Sequence, residues 1–383
     1  MRNLQEEMQA WRRHLHMHPE TAFEEVETAA FVAEKLREMG LEVCEGIGGT
    51  GVVATLKAGD GERVVCLRAD MDALNLAEQG NPPYRSHCPG KMHGCGHDGH
   101  VAALLGAAKL LSERRDFRGT VRFLFQPAEE PGKGARAMLR DGLLERFPID
   151  EIYGIHNLPA LPAGTFHTRT GGFFACEDNF TIVIHGSGGH ASAPHNVIDP
   201  LVIAAEIILA LQTIVSRNAD IADPAVVSCT ELHTDGAHNA IPSTVTILGD
   251  ARSYTRKTGE LIETRMREIC EGICRTHRAT CEFRYTHEFA ATSNWKEQTA
   301  YAAAAAAAVV GADRVDAACA PFMSSEDFGV FLEQVPGCFL VLGTGTPDGP
   351  NAPLHNSRFD YNDEMLLTGA EFFAELVRRR LPE

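Results

Sequence analysis

The chain has 383 residues, 44% of them hydrophobic and 23% charged, a globular composition with length for two or three domains. Its 35 Lys and Arg against 52 Asp and Glu leave a net charge of −17, which argues against nucleic acid or an anionic membrane surface as partner. A small anionic substrate is not excluded, because it needs only one well-placed Arg.

The N-terminus, "MRNLQEEMQAWRRHLHMHPE", lacks the apolar run of a signal peptide. No window holds 18 uncharged apolar residues; the longest candidate, "PLVIAAEIILALQTIV", is interrupted by Glu206 and Gln212. The 11 cysteines show no disulfide-like framework. A soluble, cytoplasmic protein with mostly reduced, small core thiols is the expectation.

Residues 24–39 read as an amphipathic helix, followed by the strands "LEVCE", "VVATLKAG" and "RVVCLRADMDAL". "KMHGCGHDGH" (91–100) is a Gly-rich polar loop that leads into the helix "VAALLGAAKLLSERR". "TVRFLFQPAEEPGKG" reads as a strand entering a Pro/Gly loop, "GARAMLRDGLLERF" as a helix, and "EIYGIHNLP" as a short strand ending on His156. Strands alternating with helices imply a helix-covered, mostly parallel sheet, with polar residues gathered at strand C-terminal ends.

From about residue 175 the pattern becomes "DNFTIVIHG", the helix "DPLVIAAEIILALQTIVSRN", "AVVSCTELH", "TVTILGDARSY", the helix "GELIETRMREICEGICRTH" and "TCEFRYTHEF". Asp199 and Pro200 suit the start of the first helix. That β-α-β-β-α-β order is the ferredoxin-like split unit. The expected organisation is α/β, with residues 1–174 and 287–383 forming one domain and an α+β domain, 175–286, inserted into it. The remaining expected elements are the helices "NWKEQTAYAAAAAAAVVG", "EDFGVFLEQV" and "NDEMLLTGAEFFAELVRRRL", with the strand "GCFLVLGTG".

Three glycine- or histidine-rich motifs favour plain readings. "GIGGTG" (46–51) matches a dinucleotide-binding string but is followed by a strand rather than a helix, so it reads as a hairpin turn. "HGSGGH" is not a nucleophile elbow. His14 and His18 share a helix face, yet a polar helix end before Pro19 explains them without a metal.

A more telling set is Cys95 and His97 in the 91–100 loop, the adjacent Glu129 and Glu130, His156, and His355 in "APLHNSRFD". Thiolate, imidazole and carboxylate donors at separate α/β elements suit two divalent ions, although scattered core and surface residues would look the same by spacing alone. One of two adjacent glutamates can bind an ion while its neighbour takes a proton from water.

The chain resembles the dinuclear metal amidohydrolases of the aminoacylase and carboxypeptidase G type, in the hippurate hydrolase and indole-acetyl-amino-acid hydrolase branch. The resemblance runs through "RRHLHMHPE", "LRADMDAL", "MHGCGHDGH", "FQPAEE", "GIHNLP", "GGHASAPH", "HNAIP", "SSEDF" and "LHNSRFD", in family order. It implies Cys95, His97, Glu130, His156 and His355 as metal ligands and Glu129 as the general base. It also implies that Asp70 and Asp72 support the site and that the inserted domain is a lid and dimerisation domain. There His190 would reach the partner subunit's site to stabilise an oxyanion, and Asn239 and Arg252 would hold the substrate carboxylate.

The activity so implied is hydrolysis of N-acyl amino acids with two divalent ions, zinc, manganese or cobalt, in a homodimer or dimer-based oligomer built through the lid. A dipeptidase or carboxypeptidase is the alternative, with Glu326 in "SSEDF" available to meet a free α-amino group. A non-catalytic metal-dependent binding protein is disfavoured, since such a module has no need of Glu129.

Overall fold

A computed structural model describes residues 2–346 and 352–383. The chain divides into two compact units: Met1–Phe173, Ser293–Pro321 and Asp327–Glu383 in the first, Phe174–Thr292 and Phe322–Glu326 in the second.

The first unit is organised on an eight-stranded sheet in the order Glu42–Ile47, Gly51–Ala58, Gly119–Gln126, Val64–Asp70, Glu151–Pro162, Gly337–Gly345, Phe166–His167 and Val315–Asp316. Its centre, from Gly119–Gln126 to Gly337–Gly345, is parallel; the first two strands form an antiparallel hairpin at one edge. Inner parallel strands are covered on both faces, which is why Val64–Asp70 and Gly337–Gly345 are apolar without alternation. The helix His97–Arg114 is buried along most of its length and packs against Arg2–Met17 and Leu366–Arg380. In Lys296–Val310 the alanine run places Ala302, Ala305 and Ala306 in the core, where small side chains allow close approach to Leu366–Arg380.

Three elements depart from the sequence expectation. The helix predicted over 134–147 is broken into Gly134–Arg140 and Leu143–Arg146 by Gly142, whose φ is +79°. The "EDFGVFLEQV" helix shrinks to Gly329–Leu332 because its first residues are drawn into buried polar contacts. His156 lies inside the strand Glu151–Pro162 rather than at its end, since pairing with Gly337–Gly345 continues past it.

The second unit is a four-stranded antiparallel sheet in the order Ala225–Thr234, Thr244–Ser253, Glu177–His185, Thr280–Phe289. The helices Pro200–Thr213 and Arg256–Thr276 cover its inner face, and Ile182, Ile203, Ile207, Val245, Ile247, Ile262 and Met266 form the core. This is the ferredoxin-like arrangement. Asp199 caps the first helix by accepting from the Leu201 amide at 2.9 Å. That helix continues through a wider turn, Ile214–Asn218. By length and composition the span Pro200–Asn218 is apolar enough to cross a membrane, but here its Ile203, Ala204, Ile207 and Leu211 are buried on the sheet.

Candidate metal centre

The helix His97–Arg114 starts inside the 91–100 motif, so His97 is its first residue and not part of a free loop. Gly96 precedes it at φ +95°, and a Cβ there would lie 2.4 Å from Asn157 Oδ1. Only glycine satisfies both demands, which explains the spacing between Cys95 and His97. Glu129 and Glu130 follow the end of the strand Gly119–Gln126. His355 is placed by its amide, which donates to Gly94 O at 2.8 Å.

Among the sets of donor atoms that lie within 4.8 Å of one another are Cys95, His97 and His156; Cys95, Glu130 and His355; and His97, Glu129 and Glu130. Cys95 belongs to the first two sets, between the two histidines of one and the carboxylate and histidine of the other. Cys95 Sγ is 3.4 Å from His156 Nε2. His355 Nε2 is 3.4 Å from Glu130 Oε2, and His97 Nε2 is 3.9 Å from Glu130 Oε1 and 4.0 Å from Glu129 Oε2.

The histidine tautomers suit ligation. His97 Nδ1 donates to Asp72 O at 2.8 Å and His156 Nδ1 to Asn157 O at 2.7 Å, leaving both Nε2 lone pairs facing the cluster. His97 Nε2 and Glu130 Oε1 are buried without a hydrogen-bond partner. Buried orphans of this kind are costly unless something else engages them. A thiolate, three imidazoles and a carboxylate form a donor set that divalent first-row ions accept, so the residues fit the ions the motifs imply.

Electrostatics set a condition on that fit. Burial opposes a charge on His97, yet Asp70 and then Asp72 pull its pKa up to about 10, so an ion at His97 Nε2 would have to displace a proton. Burial and the neighbouring His100 hold His156 well below the usual histidine range. Burial works against the Glu130 carboxylate, but hydrogen bonding to His355 and the charge of His97 lower its pKa. The site is built to hold several charges that compensate one another.

Asp72 takes the Glu129 and Glu130 amides on its two oxygens, each at 3.0 Å. Asp70 accepts from His100 Nδ1 at 2.6 Å and from Arg68 Nη1 at 2.7 Å. Arg68, absent from the sequence reading, is buried; it also donates to Gln126 Oε1 at 2.8 Å and to Asp327 at 3.2 Å. Asp327 in turn takes Gln126 Nε2 at 2.7 Å and the Ala135 amide at 2.9 Å. A charged residue within the apolar run "VVCLRAD" was the available signal for this network.

The other sequence-predicted residues belong to the second unit. His190 and Asn239 lie close together: the Ala191 amide donates to Asn239 O at 3.0 Å, and His190 pairs with Ala240. Both are exposed. His190 Nδ1 accepts from Ser192 N at 3.1 Å and Ser192 Oγ at 2.8 Å, which puts the ring proton on Nε2. Arg252 is already engaged, donating to Asp250 at 3.1 Å, Glu177 at 2.8 Å and Ser325 Oγ at 2.8 Å. Glu326 is buried in the short segment Phe322–Glu326.

A sequence profile of peptidase family M20/M25/M40 matches residues 66–379. The chain is 39% identical over 379 residues to a hippurate hydrolase of Campylobacter jejuni, covering 99% of this chain and 98% of that one. It is 40% identical over 369 residues to an N-acetylcysteine deacetylase of Bacillus subtilis, covering 96% and 94%. A solved dinuclear metal binding peptidase of the M20 family from Bacillus subtilis superposes with a TM-score of 0.86 at 34% identity, covering 100% and 99%.

Proposed function

Because the chain belongs to peptidase family M20/M25/M40 and is an amide-bond hydrolase, we propose that it cleaves N-acyl amino acids to a carboxylic acid and a free amino acid. The observation that carries this reading is the pair of donor sets sharing Cys95, with the Glu129 carboxylate beside them. Cys95, His97, Glu130, His156 and His355 would hold two divalent ions, for which zinc, manganese and cobalt all suit the donors. When bound, such ions make the attacking water more acidic and polarise the scissile carbonyl.

Glu129 takes the proton of that water and delivers it to the leaving nitrogen. Asp72 keeps the Glu129 carboxylate in register through the backbone amide. His190, with its proton on Nε2, is the oxyanion donor, and losing such a donor typically costs about 3–4 kcal/mol of transition-state stabilisation. Asn239 and Arg252 hold the substrate carboxylate; for Arg252 this means exchanging Ser325 or Glu177 for the substrate. Glu326 is the residue to contact groups on the acyl side.

A homodimer through the second unit is supported by the helix Pro200–Thr213, whose outer side exposes Val202 at 59% and Leu209 at 72%. Leu209→Glu should convert a dimer into monomers in light scattering; an unchanged mass would remove this helix from the interface. A cytoplasmic location is supported by the lack of disulfides among the described residues.

The reading is tested with hippurate, N-acetyl amino acids and dipeptides as substrates of protein loaded with zinc, manganese or cobalt. N-acyl amino acids should be turned over at least about tenfold better in kcat/KM, the scale of one well-placed pocket contact. Preference for dipeptides under every metal would overturn it. Cys95→Ala should lower the bound metal measured by mass spectrometry, with at least one ion lost, because both donor sets lose a member. Two ions per chain in that variant would take Cys95 out of the coordination sphere.

A further inference from the structure

Ala128, immediately before Glu129, is fully buried and held at φ +50°. Residues with a Cβ avoid this left-handed region, so something must hold the turn there. Its carbonyl accepts from the Lys133 amide at 3.2 Å and the Gly134 amide at 2.9 Å. Three successive amides, those of Ala128, Glu129 and Glu130, are then turned toward buried carboxylates. Concave rows of amides of this kind bind anionic groups. Two of the three go to Asp72. The third, that of Ala128, donates to Glu25 Oε1 at 2.9 Å.

Glu25 is otherwise unexplained. It stands at the N-cap of the helix Val26–Glu38, yet its side chain makes no cap hydrogen bond and has no solvent exposure. Burying a carboxylate is costly unless both oxygens are engaged. The second oxygen is met by Thr50 Oγ1 at 2.6 Å. Thr50 belongs to the "GIGGTG" turn, where Gly48 and Gly49 take φ +67° and +112°. The glycine string that resembled a nucleotide motif thus delivers a hydroxyl to Glu25.

We propose that Glu25, steadied by Thr50, is a positioning residue that clamps Ala128 in its left-handed conformation and so fixes where Glu129 and Glu130 project. This rests on the reading of Glu129 as base and Glu130 as ligand. Glu25 touches neither substrate nor the reacting atoms; it acts through the backbone of the turn. When the clamp is lost, the turn relaxes toward conformations that Ala prefers, and both glutamates shift together.

The test compares Glu25→Ala, Thr50→Val and each combined with Ala128→Gly. Glu25→Ala should lower kcat by about 10–100-fold, the scale of a misplaced catalytic group, with KM changed by less than about threefold. Zinc affinity, read by competition with a chromophoric chelator, should weaken by about tenfold, as for other groups that orient ligands. Adding Ala128→Gly should restore about fivefold in both readouts, because glycine adopts positive φ without the Cβ penalty. A role confined to folding stability gives no such recovery. Thr50→Val should move both readouts the same way by about threefold, as for one lost hydrogen bond, and its combination with Ala128→Gly carries the test if Glu25→Ala does not fold.

Recovery by glycine supports the clamp; kcat within twofold of the parent in Glu25→Ala, or no recovery in the combined variants, overturns it. The zinc readout needs no substrate. If Glu129→Gln proves active, the assignment of the base fails separately, whatever Glu25→Ala does.

Discussion

Glu129→Gln is expected to lower kcat by about three orders of magnitude, within the range attributed to a positioned general base. The substitution keeps the volume and the backbone amide held by Asp72, so the turn stays in place. It removes only the carboxylate that can take a proton. The donors of His97, Glu130, Cys95, His156 and His355 are untouched, so two ions should remain bound per chain by mass spectrometry. KM for hippurate should change by less than tenfold, since the lost interaction belongs to the transition state. A variant with kcat within tenfold of the parent would sink the base assignment, whereas one that had lost metal would place Glu129 among the ligands.

Arg68→Met should destabilise the protein by about 3–5 kcal/mol, the cost of removing one partner from a buried ion pair. Arg68, Asp70 and Asp327 have no exposed side-chain surface, so water cannot take over the lost contacts. Without the guanidinium, Asp70 keeps His100 and Asp327 keeps Gln126 and the Ala135 amide, but their negative charges lose the cation between them. Methionine fills similar space, which separates the charge effect from a cavity effect. The expected drop in melting temperature is about 4–6 °C by scanning calorimetry, given the unfolding entropy of a chain this long. A drop of less than 2 °C would mean that the two carboxylates do not depend on Arg68. Metal binding should weaken as well, because Asp70 lies 3.8 Å from His97 Nε2.

Both predictions concern groups that differed in how readable they were. Glu129 stood out because two adjacent acids followed an apolar strand and preceded a proline-glycine turn. Arg68 stood among apolar neighbours, and its partners Gln126 and Asp327 lie 58 and 259 positions away. Separations of that size carry no periodic signal. Glu25 was hidden in the same way, with an ordinary helix-start sequence masking a side chain that reaches Ala128, 103 positions on.

The sequence by itself determined the alternation of strands and helices, the inserted β-α-β-β-α-β unit and the residue types suited to metal chemistry, because periodicity, capping and donor identity are local properties. The tertiary structure alone decided that Cys95 stands in two donor sets at once, that His156 works from within a paired strand, and that His97 opens a helix. It also decided which buried carboxylates accept from the amides of the turn that carries Glu129 and Glu130. Those facts depend on the strand order that brings Gly119–Gln126, Val64–Asp70 and Glu151–Pro162 side by side, and long-range pairing is selected by burial of the whole sheet rather than by any one stretch of chain.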